Sequence, residues 1–415
     1  MTAALQIIKW SGCQRVFTTA AWQINYKTVM FRGLFFPRRR SRCSPMNCQN
    51  FFSFTLAAAG IGLLTPAAPA QTAPATGPYK ILHITQTNGT GGIDYIIADS
   101  DDRRVYIPRG NQIMVFDLDT YACIGAIPGT GGHGAVVDPK THHGFSSSSP
   151  VSMFDAVTMQ PIKKITTQSG PDGIMFDPST ERVYILSHGV PQVTAIDAKD
   201  GSITGSVNIG GAAEQAVSDL NGHLYVCLED KASIAVVDAN TLKLTGTYSL
   251  QGKASSPAGL AIDAKNHILF AMCRPSTCVI LSADDGKILT TLPLAGGSDS
   301  GGFNPATMEA FSSHGNGTLT IIKENSPTSF EVEQNLQTKS GGKCSTLDTK
   351  TGHIFVTAIE AAPAAAAGEG AAATPPAGGE RAAGGGRGGR GGGGGARGGG
   401  GRGGPGYLDL IVVGR

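Results

Sequence analysis

Carboxylates, imidazoles and one amine recur at a single register position of this 415-residue chain: Asp94, His133, Asp172, Glu214, Asp299 and Lys343. Oxygen and imidazole donors of this kind, brought together, hold a divalent cation such as calcium or zinc, or orient a polar ligand. Neighbours in the series are roughly 40 residues apart, and no His-x-His or Asp-x-Asp spacing enforces ligation. Convergence must therefore come from the fold. The competing reading is a solvated rim that simply prefers polar residues.

Each of these residues lies five before an Asp or Asn that closes an apolar run: Asp99, Asp138, Asp177, Asp219, Asn304 and Asp348. A seventh anchor, Asp263, has Ala258 at the corresponding place. An aromatic follows each anchor by six or seven residues: Tyr106, Phe145, Tyr184, Tyr225, Phe270, Phe311 and Phe355. Each unit reads as four short strands, in the third Gly173–Asp177, Arg182–Ser187, Gln192–Asp197 and Ile203–Ile209. A four-stranded repeat of about 40 residues is a propeller blade. The expected fold is all-β, a seven-bladed propeller. The seventh blade lacks its last strand, and Tyr79–Thr85 supplies it, so that both ends share one sheet and close the ring.

Strand direction alternates, so the second-to-third strand turns open on the face that carries the recurring ionisable residues. They add Arg109, His188, Glu229, Arg274 and His314 to the expected mouth of the central channel. Cys273 and Cys278 straddle one such turn and suit either a disulfide or two free thiols. No Cys-x-x-Cys, Gly-x-Ser-x-Gly, P-loop or His-Glu-x-x-His occurs.

These motifs resemble the YVTN β-propeller family, the YncE-like proteins. The resemblance rests on Arg104-Val105-Tyr106-Ile107, Arg182-Val183-Tyr184-Ile185, His223-Leu224-Tyr225-Val226 and His353-Ile354-Phe355-Val356-Thr357. It covers residues ~79–360 and 407–415 and is specific for fold. It implies the periplasm and a DNA interaction that nothing else in this sequence supports, and it leaves the activity open, because a fold does not carry function. The sixth blade departs from the pattern, with Asn304 for Asp and Ile321-Ile322-Lys323 in place of a second Asp motif.

Lys+Arg total 33 against 31 Asp+Glu, a net charge of +2. This argues against a globally basic nucleic-acid binder and against an acidic disordered chain. A Gly/Ala/Arg-rich stretch, 361–406, interrupts blade seven and has the composition of a disordered loop. Its Arg381, Arg387, Arg390, Arg397 and Arg402 resemble an Arg-Gly-Gly tail, but no aromatic lies among them for bases to stack on, so no nucleic-acid partner is expected. No apolar run of about 18 residues interrupts the body of the chain.

Residues 1–70 read as an N-terminal extension and signal peptide, 71–78 as a linker and 79–415 as the propeller. The basic Arg38–Arg42 patch, the apolar Phe51–Leu64 and the small-x-small Ala68-Pro69-Ala70 follow the order of a secretory signal. The expectation is an exported, periplasmic or extracellular monomer without a membrane span. It is expected to bind a small-molecule, polysaccharide or protein partner at the polar mouth without catalysis. The alternative is a metal-assisted, lactonase-like hydrolase on the same face. N-terminal sequencing of protein from the envelope fraction is expected to begin near Gln71; uncleaved protein in the cytoplasm would refute the signal.

Overall fold

The computed structural model describes residues 75–168, 170–361 and 406–415. The expected signal peptide and nearly all of the Gly-rich insertion lie outside the described residues. Seven sheets of four antiparallel strands form the ring. The third blade runs through Pro171–Asp177, Arg182–Ser187, Gln192–Asp197 and Ile203–Asn208, within two residues of the expected bounds at every strand end. Among the described residues no helix is long and apolar enough to cross a membrane.

The anchor residue has a local job at the end of each inner strand. Its side-chain oxygen accepts the backbone N–H two residues on, closing an Asx turn. The distances are 3.0 Å for Asp101 on Asp99, 3.0 Å for Lys140 on Asp138, 3.0 Å for Ser179 on Asp177 and 2.8 Å for Asn221 on Asp219. They are 3.0 Å for Lys265 on Asp263, 3.0 Å for Ala306 on Asn304 and 3.1 Å for Lys350 on Asp348. Asn304 thus does in blade six what aspartate does elsewhere. The chain then passes through a left-handed residue before the second strand, Glu181 at φ 54° in blade three and Gly352 at φ 75° in blade seven. Only this reversal sends the second strand back against the first.

Each pair of blades encloses its own apolar core, because successive side chains of a strand face opposite neighbours. Tyr184, Leu186, Val193 and Ala195 of blade three pack on Leu224, Val226 and Leu228 of blade four. Val183, Ile185 and Ile196 face the other way, onto Phe145 and Met153 of blade two.

Blade seven draws its outer strand from the opposite end of the chain. Lys80–Gly89 pairs antiparallel with Gly406–Gly414, with Ile84 against Ile411 and Gly89 against Gly406. The first residue of the expected closing strand forms a latch. Tyr79 is buried; its N–H donates to Gln334 Oε1 at 2.9 Å and Gln334 Nε2 donates to its carbonyl at 2.9 Å. Its hydroxyl donates to the buried Glu309, which also receives Arg415, whose guanidinium lies 5.1 Å from the Tyr79 ring centroid. Both ends of the propeller are thereby fixed to blade six.

A chain starting at Asn88 is expected to precipitate or to melt well below one starting at Thr76. It would leave Leu408, Ile411 and Val413 on an unpaired edge. Equal melting of the two in a thermal scan would break the closure.

Candidate functional site at the polar mouth

The recurring residues do converge. Five carboxylates, two imidazoles, one lysine and one arginine form a chain of polar contacts around one end of the channel. His133 Nδ1 lies 3.2 Å from both Asp94 Oδ2 and Asp172 Oδ1. Lys343 Nζ lies 3.4 Å from Asp94 and 3.6 Å from Asp299. Arg274 joins Asp299 to Glu229, the latter at 2.6 Å. His188 Nε2 completes the run, 3.1 Å from Glu229 Oε2 and 3.5 Å from Glu214 Oε1.

The leading ends of inner strands supply Asp172, Glu214 and Lys343, and the two or three residues before the others supply Asp94, His133 and Asp299. The second-to-third strand turns supply His188, Glu229 and Arg274. Glu229 opens a single 3-10 turn and accepts a hydrogen bond from Ser256 Oγ at 2.8 Å.

The run of contacts ends on two carboxylates, Glu214 and Asp172, and His188 is near enough to both for each to favour its charged form. Burial, then the charge of Asp172, pushes the Glu214 carboxyl up to about 8. Burial also raises Asp172, against the opposing pull of His133. Glu229 falls to about 2, because it accepts from His188, and that same hydrogen bond raises His188. Asp94 raises His133 in the same way. Lys343 is held above the ordinary lysine value: burial opposes its charge, and Asp94 and Asp299 outweigh burial. Two groups of three ligand atoms each lie within 4.8 Å of one another: Asp94, His133 and Asp172, and His188, Glu214 and Glu229. Either set has the donor types of a divalent-cation site.

Two expected members stand elsewhere. Arg109 is buried at the ring closure, where Nη2 donates to the carbonyls of Gly89 at 3.1 Å and Gly406 at 3.0 Å. His314 is buried inside blade six, its Nε2 2.8 Å from Thr320 Oγ1. The reason is one residue of register. His188, Glu229 and Arg274 come four residues after the repeat aromatic, in the turn; Arg109 and His314 come three after it, inside the strand.

The same arithmetic removes the disulfide. Both Cys273 and Cys278 are free thiols. Cys273 pairs with Thr277 while Cys278 pairs with Met272. The offset turns Cys273 toward blade four and Cys278 toward blade six, on opposite faces of one sheet. Burial pushes the Cys273 thiol up to about 12, so it is unreactive at neutral pH.

The layer beneath the mouth was missed from sequence. Tyr95 donates its hydroxyl to Glu214 Oε2 at 2.8 Å. Gln215 Oε1 accepts from Leu260 at 3.0 Å and Gly301 at 2.8 Å, and its Nε2 donates to the Gly301 carbonyl at 2.8 Å. Cys344 Sγ lies 3.7 Å from Asp94 Oδ1. All three are four residues before an anchor or directly follow a mouth residue, so the repeat register would have found them.

The chain is 26% identical over 152 residues to the uncharacterised protein YncE of Escherichia coli (strain K12) and 28% identical to YncE of Salmonella typhi. Each alignment takes in 34% of this chain and 42% of the relative, so the chain matches about two fifths of those relatives' length. Among solved structures, a chain of the mitotic checkpoint complex matches with a TM-score of 0.60 at 11% identity, over 75% of this chain and 96% of that one. U3-55K matches with a TM-score of 0.56 at 10% identity, over 68% and 92%. Identity that low carries the fold alone. No protein-family model matches the chain.

The buried His314 generates a pH signature. Burial lowers it from 6.5 to about 4, so the folded protein resists the proton that the unfolded chain accepts. Its share of stability is intact above pH 6.5 and is lost progressively down to about pH 4. At about 1.4 kcal/mol per pKa unit, the loss is about 3 kcal/mol. Urea midpoints of His314→Gln measured from pH 7 to pH 4 are expected to lack that part of the wild-type decline. Parallel curves would show that His314 does not carry it.

Proposed function

We propose that this YncE-like β-propeller is an exported binding protein whose polar mouth captures a cationic group. The ligand is a divalent metal ion or the ammonium group of a larger molecule. One observation carries the reading: five carboxylates share the mouth with only one lysine and one arginine, and burial, then the charge of Asp172, pushes the Glu214 carboxyl up to about 8. Lys343 and Arg274 neutralise two of five carboxylates, and the imidazoles His133 and His188 sit within reach of the remainder. A positive ligand seated beside His188 and His133 would relieve the repulsion that burial and like charge impose there. An anionic ligand would meet only Lys343, Arg274 and the imidazoles His133 and His188, all already paired with carboxylates.

A second reading, a metal-assisted hydrolase, draws on the two sets of one imidazole and two carboxylates. Such sets can hold a metal that activates water. The two readings share the cation and separate on turnover.

Chelator-dialysed protein titrated with Ca²⁺, Zn²⁺ and 1,4-diaminobutane tests both. One of the three is expected to raise the melting temperature, with about 2.7 kcal/mol gained at a hundredfold excess over Kd. Asp172→Asn combined with Glu214→Gln is expected to abolish that shift. A flat response to all three would remove the cation reading. Metal-dependent opening of a lactone such as dihydrocoumarin would favour the hydrolase.

A further inference from the structure

Two side chains reach across the central channel. Tyr95 and Gln215 cross it beneath the polar mouth, tied to Glu214, Leu260 and Gly301. Below them lies a cavity of about 560 Å³. Ile97, Val137, Phe176, Ile262, Phe303 and Leu347 line it, from six different blades, and blade four adds Val217. Five of these seven come directly before the anchor residue, so the repeat that builds a polar ring at one end builds an apolar one at the other.

Such a volume lies within the roughly 300–1,000 Å³ of small-molecule sites, and the wall is of the kind those sites have. An α-helix with side chains is about 10–12 Å across, so a single turn would fill most of the space. A protein segment is therefore a poor occupant. The only charged residues on the wall are acidic, Asp99 and Asp101. Asp101 is engaged by Lys350 at 3.0 Å, and burial raises the Asp99 carboxyl. No lysine, arginine or histidine lines the cavity among the described residues, so an anionic head would find no partner.

We propose that this apolar end of the channel is a second binding site, independent of the polar mouth, for an uncharged, largely hydrocarbon small molecule. Pro139 of blade two and the exposed Leu220 of blade four, both just after their inner strands, also line it and put its opening on the face opposite the mouth. A ligand enters from that side, covers the apolar wall and stops at Tyr95 and Gln215. Emptied of ligand, the same wall faces water at about 25 cal/mol per Å² of apolar surface.

The test is binding of Nile red, an uncharged dye that brightens in apolar surroundings, to the full chain. Saturable binding is expected, with displacement by 1-octanol and not by octanoate. Ile262→Trp, which fills the cavity, is expected to weaken dye binding at least tenfold with the melting temperature retained. Val217→Trp serves the same purpose from another blade, should the first variant fold poorly. Ile203→Ser removes an apolar side chain exposed on the outer strand of blade three and is expected to leave binding unchanged. Absence of saturable binding overturns the proposal. So does binding that survives both tryptophan variants or is lost in Ile203→Ser, and displacement by octanoate as effective as that by octanol overturns the ligand class.

Discussion

Everything in this molecule depends on the ring being closed. The seam between blades seven and one buries Val105, Ile107, Phe116, Phe355, Leu408 and Val412, with half a dozen further side chains. At about 1.5–3 kcal/mol for each fully buried apolar side chain, these twelve account for about 18–36 kcal/mol, and for roughly 11–22 kcal/mol after a discount of about 40% for burial already present in the unfolded chain. Net stability of a folded domain is about 5–15 kcal/mol. An open ring would therefore forfeit an amount comparable to the whole reserve of the fold. The pairing of Lys80–Gly89 with Gly406–Gly414, and the Tyr79–Glu309–Arg415 latch beside it, hold the seam shut.

Closure is also what gives the site its geometry. The mouth residues come from inner strands spread over roughly 250 residues of sequence, yet His133 touches both Asp94 and Asp172. No local motif arranges this. Each Asx turn fixes the far end of an inner strand, and strand length then sets where its leading residue emerges. Apolar seams fill the body between polar rim and turn. The two ends of the channel thus acquire opposite character from one repeated pattern, ionisable five places before the anchor and mostly apolar one place before it.

The fold was legible because its signal is repeated. Seven anchors, each with an aromatic following, mark blades that any single unit would leave ambiguous. The inner-strand part of the site was legible for the same reason: Asp94, His133, Asp172, Glu214, Asp299 and Lys343 share one register, and the ring brings them to one face. The turns were harder to read. Arg109 and His314 lie one residue inside the strand end, and that step sends a side chain from the solvent face into a seam. Cys273 and Cys278 fail as a disulfide through the same unit offset across a hairpin. The Tyr79 latch had no local signature at all. Its partners Glu309, Gln334 and Arg415 are 230 or more residues away, and nothing in the Tyr79 neighbourhood specifies them.

The shared sheet of blade seven also has a kinetic meaning. Asn88 faces Tyr407 and Lys80 faces Gly414, so the first strand of the propeller must wait for the last. Six blades are complete hairpin meanders of local sequence and can form as each emerges. The seventh cannot, whatever its own propensity. During that interval the flanks of blades one and six remain apolar and unpaired, exposed to aggregation or to a neighbouring chain's outer strand. Folding is thereby divided into a fast local part and a final long-range docking step. The rate of that step is governed by loop closure across almost the entire chain.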